Sequence, residues 1–401
     1  MEALDSCVAC GLCLPVCPTF RLTGDETASP RGRLTAMKAV ASHGMEVDER
    51  FAEMMSFCLQ CRACETACPS MVPFGGVMEA SRTEARTQVP VRRDWFRRLL
   101  LVNVLRSRFL LRVATIFAAV MQRIGLLIRL PVVGAQTRGL RPLSLPVRTT
   151  AGGTWGNPSG DVAMLLSGCV ADVWFSDVHK ATIEVLVAAG YRVEAPANQT
   201  CCGALAAHGG FADDARSMAN CNIKAFASAD VIVTDVAGCG AHLKVYGRYG
   251  DDGAGVAAKV RDVNEVVASA ITDGRLPSFP TSGRKIGIQD PCHLEHGQHT
   301  ATAVDVVIGA AGFTPIAIDR GGQCCGAAGL YQIDYPEISE QLGRMKADRV
   351  TDAGTTTVVS ANAGCEMQLR RFLDDGYRIR HPIEVYRDRM MEDDRRPTTD
   401  D

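Results

Sequence analysis

Eight cysteines in the first 70 residues carry the clearest chemical signal in the sequence. They form two runs with the same spacing, C-x2-C-x2-C-x3-C-P, and the members are Cys7, Cys10, Cys13 and Cys17 in the first run and Cys58, Cys61, Cys64 and Cys68 in the second. A zinc knuckle pairs cysteines as C-x2-C and has no use for a third cysteine or for the proline after the fourth. Buried free cysteines do not repeat a pattern of this length. The spacing therefore indicates iron–sulfur chemistry, in which thiolates bind clusters that carry electrons.

The order of the cysteines also predicts how the ligands are shared. In this spacing, which is that of bacterial ferredoxins, three thiolates of a run hold one 4Fe–4S cluster and the fourth binds the other cluster. The predicted ligand sets are Cys7, Cys10, Cys13 and Cys68 for one cluster, and Cys58, Cys61, Cys64 and Cys17 for the second. Arg31, Arg33 and Arg62 lie near these ligands along the chain, where a cation can raise the potential of a cluster. Solvation of these arginines at the surface is the alternative.

The residues between the two runs predict helices that hold the clusters. Ser29 is suited to an N-cap, Pro30 to the first helical position, and residues 31–41 continue with good helix formers. A second helix is expected over residues 48–57. Residues 1–90 are therefore predicted to form an α-helical ferredoxin domain rather than the compact β-α-β type.

A basic segment follows the cysteine runs. Residues 1–90 hold eight Lys or Arg and eleven acidic residues, residues 91–148 hold twelve Arg and one acidic residue, and the remainder holds 23 and 33. On a helical wheel, residues 91–130 place most arginines on one side and large apolar residues on the other, which predicts an amphipathic helix or a pair of helices.

The basic segment is too polar to cross a membrane. Its longest uncharged run, residues 113–122, has ten residues, whereas a spanning helix needs about 20. The segment either packs against this protein or a partner subunit, or lies on an anionic membrane surface. Nucleic acid is not an expected partner, because no aromatic residues interleave with the arginines.

Two stretches of the chain are predicted to be irregular. Residues 131–160 are rich in proline and glycine, which predicts a linker with a domain boundary near Gly160. The charged residues 387–401 are predicted to be a flexible tail.

Between these stretches the chain repeats itself. Cys169, Cys201 and Cys202 recur 123 residues later, and Cys239 recurs 126 residues later. Residues 161–276 and 284–386 are therefore two copies of one unit. Short apolar strands alternate with helices in each copy, which predicts a small, mostly parallel sheet with the cysteines at strand ends.

The two copies contribute eight further cysteines that are candidate metal ligands. They are Cys169, Cys201, Cys202 and Cys239 in the first copy, and Cys292, Cys324, Cys325 and Cys365 in the second. Adjacent cysteines before a glycine suit a metal centre, because neighbouring thiolates can serve two irons and glycine lets the backbone approach. Cys221 belongs to neither set and is predicted to be a buried core thiol.

These patterns resemble a known family. The spacings C-x31-C-C-G-x35-C and C-x31-C-C-G-x38-C are similar to the cysteine-rich (CCG) domains of heterodisulfide reductases and their relatives. Ferredoxin-type runs ahead of two such domains, with SPRGR at 29–33 and DPCHLEHGQ at 290–298, more narrowly resemble the iron–sulfur subunits of membrane-associated glycolate oxidase over about residues 5–390. The resemblance implies an α+β multidomain fold, with an α-helical ferredoxin-like domain followed by a duplicated α/β CCG domain.

The chain departs from the heterodisulfide reductase pattern at one position in each copy. A fifth cysteine is replaced by His242 in the first copy and by Gln368 in the second. Four thiolates per copy are left to hold a 4Fe–4S cluster or zinc, unless a copy is empty. His242 is either a ligand or a polar histidine on a helix surface. His293, His296 and His299 either donate protons to a bound quinone or line the start of a helix.

The motifs that the chain lacks point to a partner protein. It has no G-x-G-x-x-G after a strand and no G-x4-G-K-[ST], and so no recognisable flavin or nucleotide site. Oxidation of a 2-hydroxy acid removes two electrons and needs a hydride acceptor, which is expected to be FAD on a partner dehydrogenase subunit. The resemblance thus implies the electron-transfer subunit of a glycolate oxidase (glycolate dehydrogenase) complex, an oxidoreductase that delivers electrons to quinone.

Other functions and the location follow from the same features. The same subunit plan would serve a lactate, glycerol-3-phosphate or heterodisulfide oxidoreductase, and a non-catalytic iron–sulfur sensor is a further alternative. A chain of 401 residues with 47% hydrophobic and 22% charged residues is typical of two or three globular domains. Seventeen cysteines without a recognisable secretory leader predict a cytoplasmic protein, with peripheral contact at the cytoplasmic face of the membrane.

Overall fold

The amino-terminal part folds into short helices that alternate with the cysteine loops. The computed structural model describes residues 2–89, 94–130, 134–145, 147, 149–319 and 321–393. The elements of the first part are α1 (Glu2–Asp5), α2 (Pro18–Thr23), a 3-10 turn (Glu26–Ala28), α3 (Pro30–His43), α4 (Glu49–Ser56), α5 (Ala63–Thr66) and α6 (Phe74–Gln88). Residues 2–89 contain no strand, as expected for a helical ferredoxin-type domain.

Capping hydrogen bonds confirm where two of these helices begin. Ser29 Oγ accepts a hydrogen bond of 2.9 Å from the Gly32 amide, and Pro30 is the first residue of α3. At the start of α4, Asp48 Oδ1 accepts a hydrogen bond of 2.8 Å from the Phe51 amide. Each cap satisfies an amide that the first helical turn would leave unpaired.

The basic segment forms the expected pair of helices, but it is broken between them. Its elements are α7 (Asp94–Arg98), a π-helical stretch (Leu99–Val104), α8 (Arg108–Arg123) and a 3-10 turn (Leu127–Arg129). Ser107 caps α8 by accepting a hydrogen bond of 3.3 Å from the Leu110 amide. A single helical wheel for residues 91–130 is therefore wrong, and Arg93 lies outside the described residues. None of the helices in the described parts of the chain has the length and apolar character to cross a membrane.

The predicted linker contains regular structure, which corrects the expectation for residues 131–160. It includes α9 (Gly134–Thr137) and strand β1 (Thr154–Trp155), which pairs antiparallel with β3 (Arg192–Glu194). A strand of two residues fits between the flanking glycines, so the first sheet begins before Gly160. Pro131 and Pro146 lie outside the described residues.

The first repeat is a five-stranded sheet flanked by helices. Its other strands are β2 (Val162–Leu165), β4 (Val231–Thr234) and β5 (Val260–Asp262). The strand order is β1-β3-β2-β4-β5, and β1–β3 is the only antiparallel pair among the described residues. The helical elements are α10 (Val170–Trp174), α11 (Ser176–Ala188), α12 (Ala204–His208), α13 (Ala212–Ala225), α14 (Ala237–Leu243), a 3-10 turn (Tyr246–Tyr249), α15 (Asp251–Lys259) and α16 (Val263–Thr272).

The second repeat has the same topology. Its strands are β6 (Lys285–Gln289), β7 (Thr314–Ala317), β8 (Thr357–Ser360) and β9 (Arg378–Arg380), parallel in the order β7-β6-β8-β9. The helical elements are a π-helical turn (His293–Gln298), α17 (Thr302–Ala310), α18 (Tyr331–Asp334), α19 (Pro336–Asp352), α20 (Ala363–Phe372) and α21 (Pro382–Asp393). The matching order of β3-β2-β4-β5 and β7-β6-β8-β9 confirms the predicted fold class and the duplication.

The last helix corrects the prediction of a flexible tail from residue 387. Helix α21 extends to Asp393, and Arg387 NH1 lies 2.8 Å from Glu184 Oε2 of α11. This contact ties the carboxyl-terminal helix to the first repeat. Residues 394–401 lie outside the described residues.

One hydrophobic core joins the two repeats. Helices α11 and α16 of the first repeat pack against α21 and α17 of the second. Leu186, Val267, Val307 and Ile383 of these helices are fully buried in the same core. Burying a side chain of this size stabilises the fold by about 1.5–3 kcal/mol. The two sheets, and the strand ends that carry the cysteines, are therefore held in a fixed relation.

Candidate functional site

The first group of ferredoxin-type cysteines lies around one cavity near the surface. Cys7, Cys10, Cys13 and Cys68 all line this cavity, and Cys64 also reaches it. Cys10 is exposed, whereas Cys7, Cys13 and Cys68 are half-buried. The fold thus brings a cysteine of the second run to three cysteines of the first, which is the juxtaposition that the spacing predicts.

The second group of ferredoxin-type cysteines is buried. Cys17, Cys58, Cys61 and Cys64 are all shielded from solvent. Burial raises the pKa of the Cys64 thiol, and the nearby sulfurs of Cys61, Cys58 and Cys17 raise it further. Four thiols in each group match the donor set of a 4Fe–4S cluster, and the assignment of each ligand to a cluster stays a prediction.

The two runs fold into the same loop conformation. The third and fifth residues of each run have a left-handed backbone, with φ of 53° and 83° at Ala9 and Gly11, and 53° and 64° at Gln60 and Arg62. Residues other than glycine rarely adopt this conformation, which costs of order 1–3 kcal/mol. The Gln60 amide donates to Cys58 Sγ at 3.3 Å, so the strained loop supplies a hydrogen bond to a candidate ligand.

Arg33 is a buried support of the second group. Its side chain is almost fully buried, and its Nε donates to the Met54 carbonyl at 2.9 Å. Its guanidinium also lies 3.3 Å from Thr19 Oγ1, which is 3.3 Å from Cys17 Sγ. Surface solvation is therefore wrong for Arg33, whereas Arg31 is partly exposed.

All eight cysteines of the two repeats line one shared cavity of about 280 Å³. They follow the carboxyl ends of β2, β3 and β4 in the first repeat and of β6, β7 and β8 in the second, as predicted for parallel sheets. The sequence indicates one site in each copy, and the common cavity arises because the repeats pack with these strand ends facing each other. No group of three or more His, Cys, Asp and Glu side chains in the described parts of the chain is arranged to hold a metal ion.

The thiols form close pairs within each repeat. Cys202 Sγ lies 3.3 Å from Cys239 Sγ, and Cys325 Sγ lies 3.0 Å from Cys365 Sγ. The two pairs occupy equivalent positions, because Cys202 and Cys325 are the second cysteines of their CCG motifs. The duplication therefore extends from the sheets to the arrangement of the sulfur atoms.

The glycine after each cysteine pair has a left-handed backbone and lies against a helix. Gly203 and Gly326 have φ of 88° and 82°. A Cβ atom on Gly326 would lie 2.8 Å from the Ser339 carbonyl oxygen of α19, and one on Gly203 would lie 3.3 Å from that of Ala215 in α13. Glycine is therefore required for the turn and for contact with a helix, and its role in the approach to a metal stays a prediction.

His242 and Gln368, the residues at the fifth ligand position, have different surroundings. His242 is buried, which rules out a helix-surface histidine, and burial lowers its pKa to about 4. Its Nε2 lies 3.4 Å from the Tyr249 hydroxyl, and it is absent from the described residues that line the eight-cysteine cavity. Gln368 lines that cavity, but its amide donates to the Ser339 carbonyl at 3.0 Å.

The three histidines after Cys292 lie in different surroundings. His293 lines the eight-cysteine cavity, with its Nδ1 3.7 Å from Cys292 Sγ. His296 Nδ1 instead lies 3.0 Å from Thr66 Oγ1 of the ferredoxin-type domain. His299 ends the π-helical turn with a left-handed φ of 58°. Of these histidines, His293 is the one placed to meet a molecule in the cavity.

The sequence reading missed His208, which also lines the cavity. Its ring stacks on that of His293 with centroids 5.9 Å apart, and its Nε2 lies 3.4 Å from Glu79 Oε1. Burial lowers the pKa of His208 and raises that of Glu79. In the sequence, His208 could have been noticed from its position in the α-helix that follows the first CCG motif. The residues that it contacts, Glu79 and His293, are far away from it in the sequence.

Cys221 lies outside both sets, as predicted, but it is half-buried rather than part of the core. Its Sγ donates to the Asn198 carbonyl at 3.1 Å. The buried face of α13 is formed by other residues, including Met218 and Asn222. Cys221 therefore offers a matched control for substitutions of the candidate ligands.

The buried ferredoxin-type group borders the eight-cysteine cavity. Cys61 packs in one apolar cluster with Cys292 and Cys324. Burial raises the pKa of the Cys61 thiol, and the neighbouring Cys292 raises it further. Leu59 of the same run lines the cavity. The three sets of cysteines thus follow one another from the exposed group, through the buried group, to the cavity.

Family models match both parts of this arrangement. A 4Fe-4S dicluster domain matches residues 3–72. A cysteine-rich domain matches twice, at residues 163–244 and 286–370. These matches identify an iron–sulfur domain in the amino-terminal part of the chain and two copies of a cysteine-rich domain after it.

Relatives extend the similarity over nearly the whole chain. A probable glycolate oxidase iron-sulfur subunit of Bacillus subtilis is 30% identical over 92% of this chain and 88% of its own length. The glycolate oxidase iron-sulfur subunit of Escherichia coli is 31% identical over 95% of this chain and 93% of its own length. Lactate utilization protein A of Geobacillus thermodenitrificans is 26% identical over 54% of this chain and 92% of its own length. The first two relatives confirm the resemblance drawn from the sequence.

Proposed function

The chain belongs to the family of glycolate oxidase iron–sulfur subunits, and we propose that it passes electrons from a partner flavoprotein to quinone. The packing of Cys61 in one apolar cluster with Cys292 and Cys324 is the observation that carries the proposal. Through this contact the buried ferredoxin-type group adjoins the cavity that would receive the electrons.

The ferredoxin-type domain would hold two 4Fe–4S clusters. The ligands would be Cys7, Cys10, Cys13 and Cys68 for the outer cluster and Cys58, Cys61, Cys64 and Cys17 for the inner one. When bound, each cluster accepts and releases one electron. The loop strained at Gln60 and Arg62 and the buried Arg33 would keep the inner ligands in position.

Electrons would reach the outer group from the FAD of a partner 2-hydroxy acid dehydrogenase subunit. Cys10 is exposed at this end of the molecule, and the large apolar side chains of Val8, Leu12 and Met71 around it are 70%, 55% and 82% exposed. Apolar surface of this kind is typical of a protein contact. A flavoprotein bound here would bring its flavin towards the outer cysteines.

The eight-cysteine cavity would receive the electrons and bind quinone. The four thiols of each repeat are enough for a further iron–sulfur cluster or a zinc ion. Leu59, Trp174 and Met367 are among the apolar residues that line the cavity, and an apolar lining suits an uncharged ring. The 17 free thiols fit a reducing compartment, so we assign the complex to the cytoplasm.

Substitution of one inner cysteine tests the proposal. The chain is coexpressed with its flavoprotein, and glycolate-dependent reduction of a quinone is compared for Cys61→Ser and Cys221→Ser. We expect Cys61→Ser to abolish quinone reduction while the flavin of the partner is still reduced by glycolate. Cys221→Ser should retain the activity of the parent. Undiminished quinone reduction in Cys61→Ser would refute the proposal.

A further inference from the structure

Helix α8 exposes a row of large apolar side chains to solvent. Phe109, Phe117 and Ile124 are 73%, 63% and 61% exposed. The complete row, which we call the apolar face of α8, consists of Phe109, Leu110, Val113, Ile116, Phe117, Val120 and Ile124. The spacing of three and four residues places these side chains on one side of the helix.

The opposite side of α8 is fixed to the body of the protein. Leu111, Thr115 and Ala119 are buried, and Thr115 Oγ1 accepts a hydrogen bond of 3.0 Å from Trp174 Nε1 of α10. The exposure of the apolar face therefore does not come from a detached helix. A face of this kind on a docked helix marks a contact with something outside the chain.

The segment of the chain that contains this face carries only positive charges. Residues 95–160 contain ten arginines and no Asp, Glu or Lys. Arg112 and Arg123 are exposed, and at 100° per residue both lie along one edge of the apolar face. In the described parts of the chain, no ion pair involves Arg123 or the exposed Arg129. The side chains of Arg123 and Arg129 are thus available to phosphate groups, whereas Arg112 also donates a hydrogen bond of 2.7 Å to Thr149 Oγ1.

We infer that the apolar face of α8 docks on an anionic lipid surface. The large side chains would enter the boundary between headgroups and acyl chains, and the flanking arginines would meet the lipid phosphates. Trp95 of α7 is 70% exposed in the same segment, and tryptophan is favoured at this depth. An anionic bilayer would accommodate both the apolar face and the positive charge of residues 95–160.

Docking would also bring the eight-cysteine cavity close to the bilayer. Trp174 of α10 lines that cavity and donates a hydrogen bond to Thr115 of α8, so α8 and α10 connect the docking face to the cavity. This part of the inference rests on the proposed function. It identifies quinone dissolved in the bilayer, rather than a water-soluble acceptor, as the molecule that receives the electrons.

Vesicle binding tests the inference on the full chain. The chain is sedimented with vesicles of phosphatidylcholine alone and with vesicles that also contain phosphatidylglycerol. We expect binding to the anionic vesicles that weakens with salt, and binding at least about tenfold weaker for Phe109→Ser with Phe117→Ser, since two exposed phenylalanines no longer enter the lipid. Val306→Ser removes an apolar side chain that is 43% exposed outside this face, and this variant should bind like the parent.

Three results would overturn the inference. They are no binding to either kind of vesicle, equal binding of the parent and the phenylalanine variant, and loss of flavoprotein binding in that variant with vesicle binding unchanged. The variant removes exposed side chains, so its thermal unfolding should match that of the parent, which excludes misfolding as the cause of weaker binding.

The quinone assay separates this inference from the proposed function. The phenylalanine variant should still reduce a water-soluble quinone while losing reduction of a quinone embedded in anionic vesicles. If the parent bound vesicles without reducing any quinone, the proposed function would fall and the docking surface would stand.

Discussion

Replacing Asp235 with Asn should remove a buried ion pair and, with it, a pH dependence of stability. His179 Nδ1 lies 2.6 Å from Asp235 Oδ2, and both side chains are 1% exposed. The other ring nitrogen of His179 lies 3.0 Å from the Ser167 carbonyl, and Thr182 Oγ1 donates to Asp235 at 3.0 Å. The pair therefore joins the ends of β2 and β4, beside the loops that carry cysteines of the first repeat. Asn keeps the shape and can still accept these hydrogen bonds, but it lacks the charge.

The size of the effect follows from the pKa of the histidine. Burial by itself lowers the pKa of His179, but the charge of Asp235 and its hydrogen bond outweigh burial and raise the pKa from 6.5 to about 9. At about 1.36 kcal/mol per pKa unit, the pair contributes about 3 kcal/mol to the free energy of unfolding. Because the folded-state pKa is the higher one, this stability is fully present below pH 6.5 and is lost as the pH rises through 9.

Urea unfolding of the full chain, followed by circular dichroism without oxygen, measures this contribution. At pH 6.5, Asp235→Asn should lower the free energy of unfolding by about 3 kcal/mol, and the difference from the parent should nearly vanish at about pH 10. Asp230→Asn is the control, because Asp230 is an exposed carboxylate that accepts a hydrogen bond from the Val162 amide at 2.9 Å. An equal loss of the free energy of unfolding at pH 6.5 and at pH 10 would refute the stabilising role of the ion pair.

Two further substitutions test the support of the second repeat and the cofactor content of the cavity. Arg141→Gln should lower the free energy of unfolding by about 3–5 kcal/mol, the cost of breaking a buried ion pair, because Arg141 lies 2.6 and 2.9 Å from glutamates of α20 and α21. Arg344→Gln, at an exposed pair, should cost less than about 1 kcal/mol in the same urea titration. We expect the parent to contain more than about eight iron atoms per chain. The iron content of the double variant Cys202→Ser and Cys325→Ser should fall towards eight, as measured by iron analysis and EPR. An iron content of only eight in the parent would contradict this.

Signals that act over a few residues could be predicted from the sequence. The capping of α3 by Ser29 and of α4 by Asp48 involves amides three residues away, so the helix starts follow from the local sequence. The spacing of the cysteine runs and the offset of 123 residues between the repeats can likewise be read from the sequence alone. The position of the break at Ser107 and the extension of α21 were not predicted, because a helical wheel and a count of charges do not reveal a cap or a distant ion pair.

The sequence by itself determined the cysteine sets, the helical start of the domain that holds the first of them, and the duplicated sheets. The tertiary structure alone decided that both repeats share one cavity, that Cys61 packs in one cluster with Cys292 and Cys324, and that the apolar face of α8 points outward. Caps, turns and periodicity depend on neighbours within one or two helical turns. The cavity and the contact between domains depend instead on which apolar surfaces of α11, α16, α17 and α21 bury each other, and these surfaces belong to residues that are far apart in the chain.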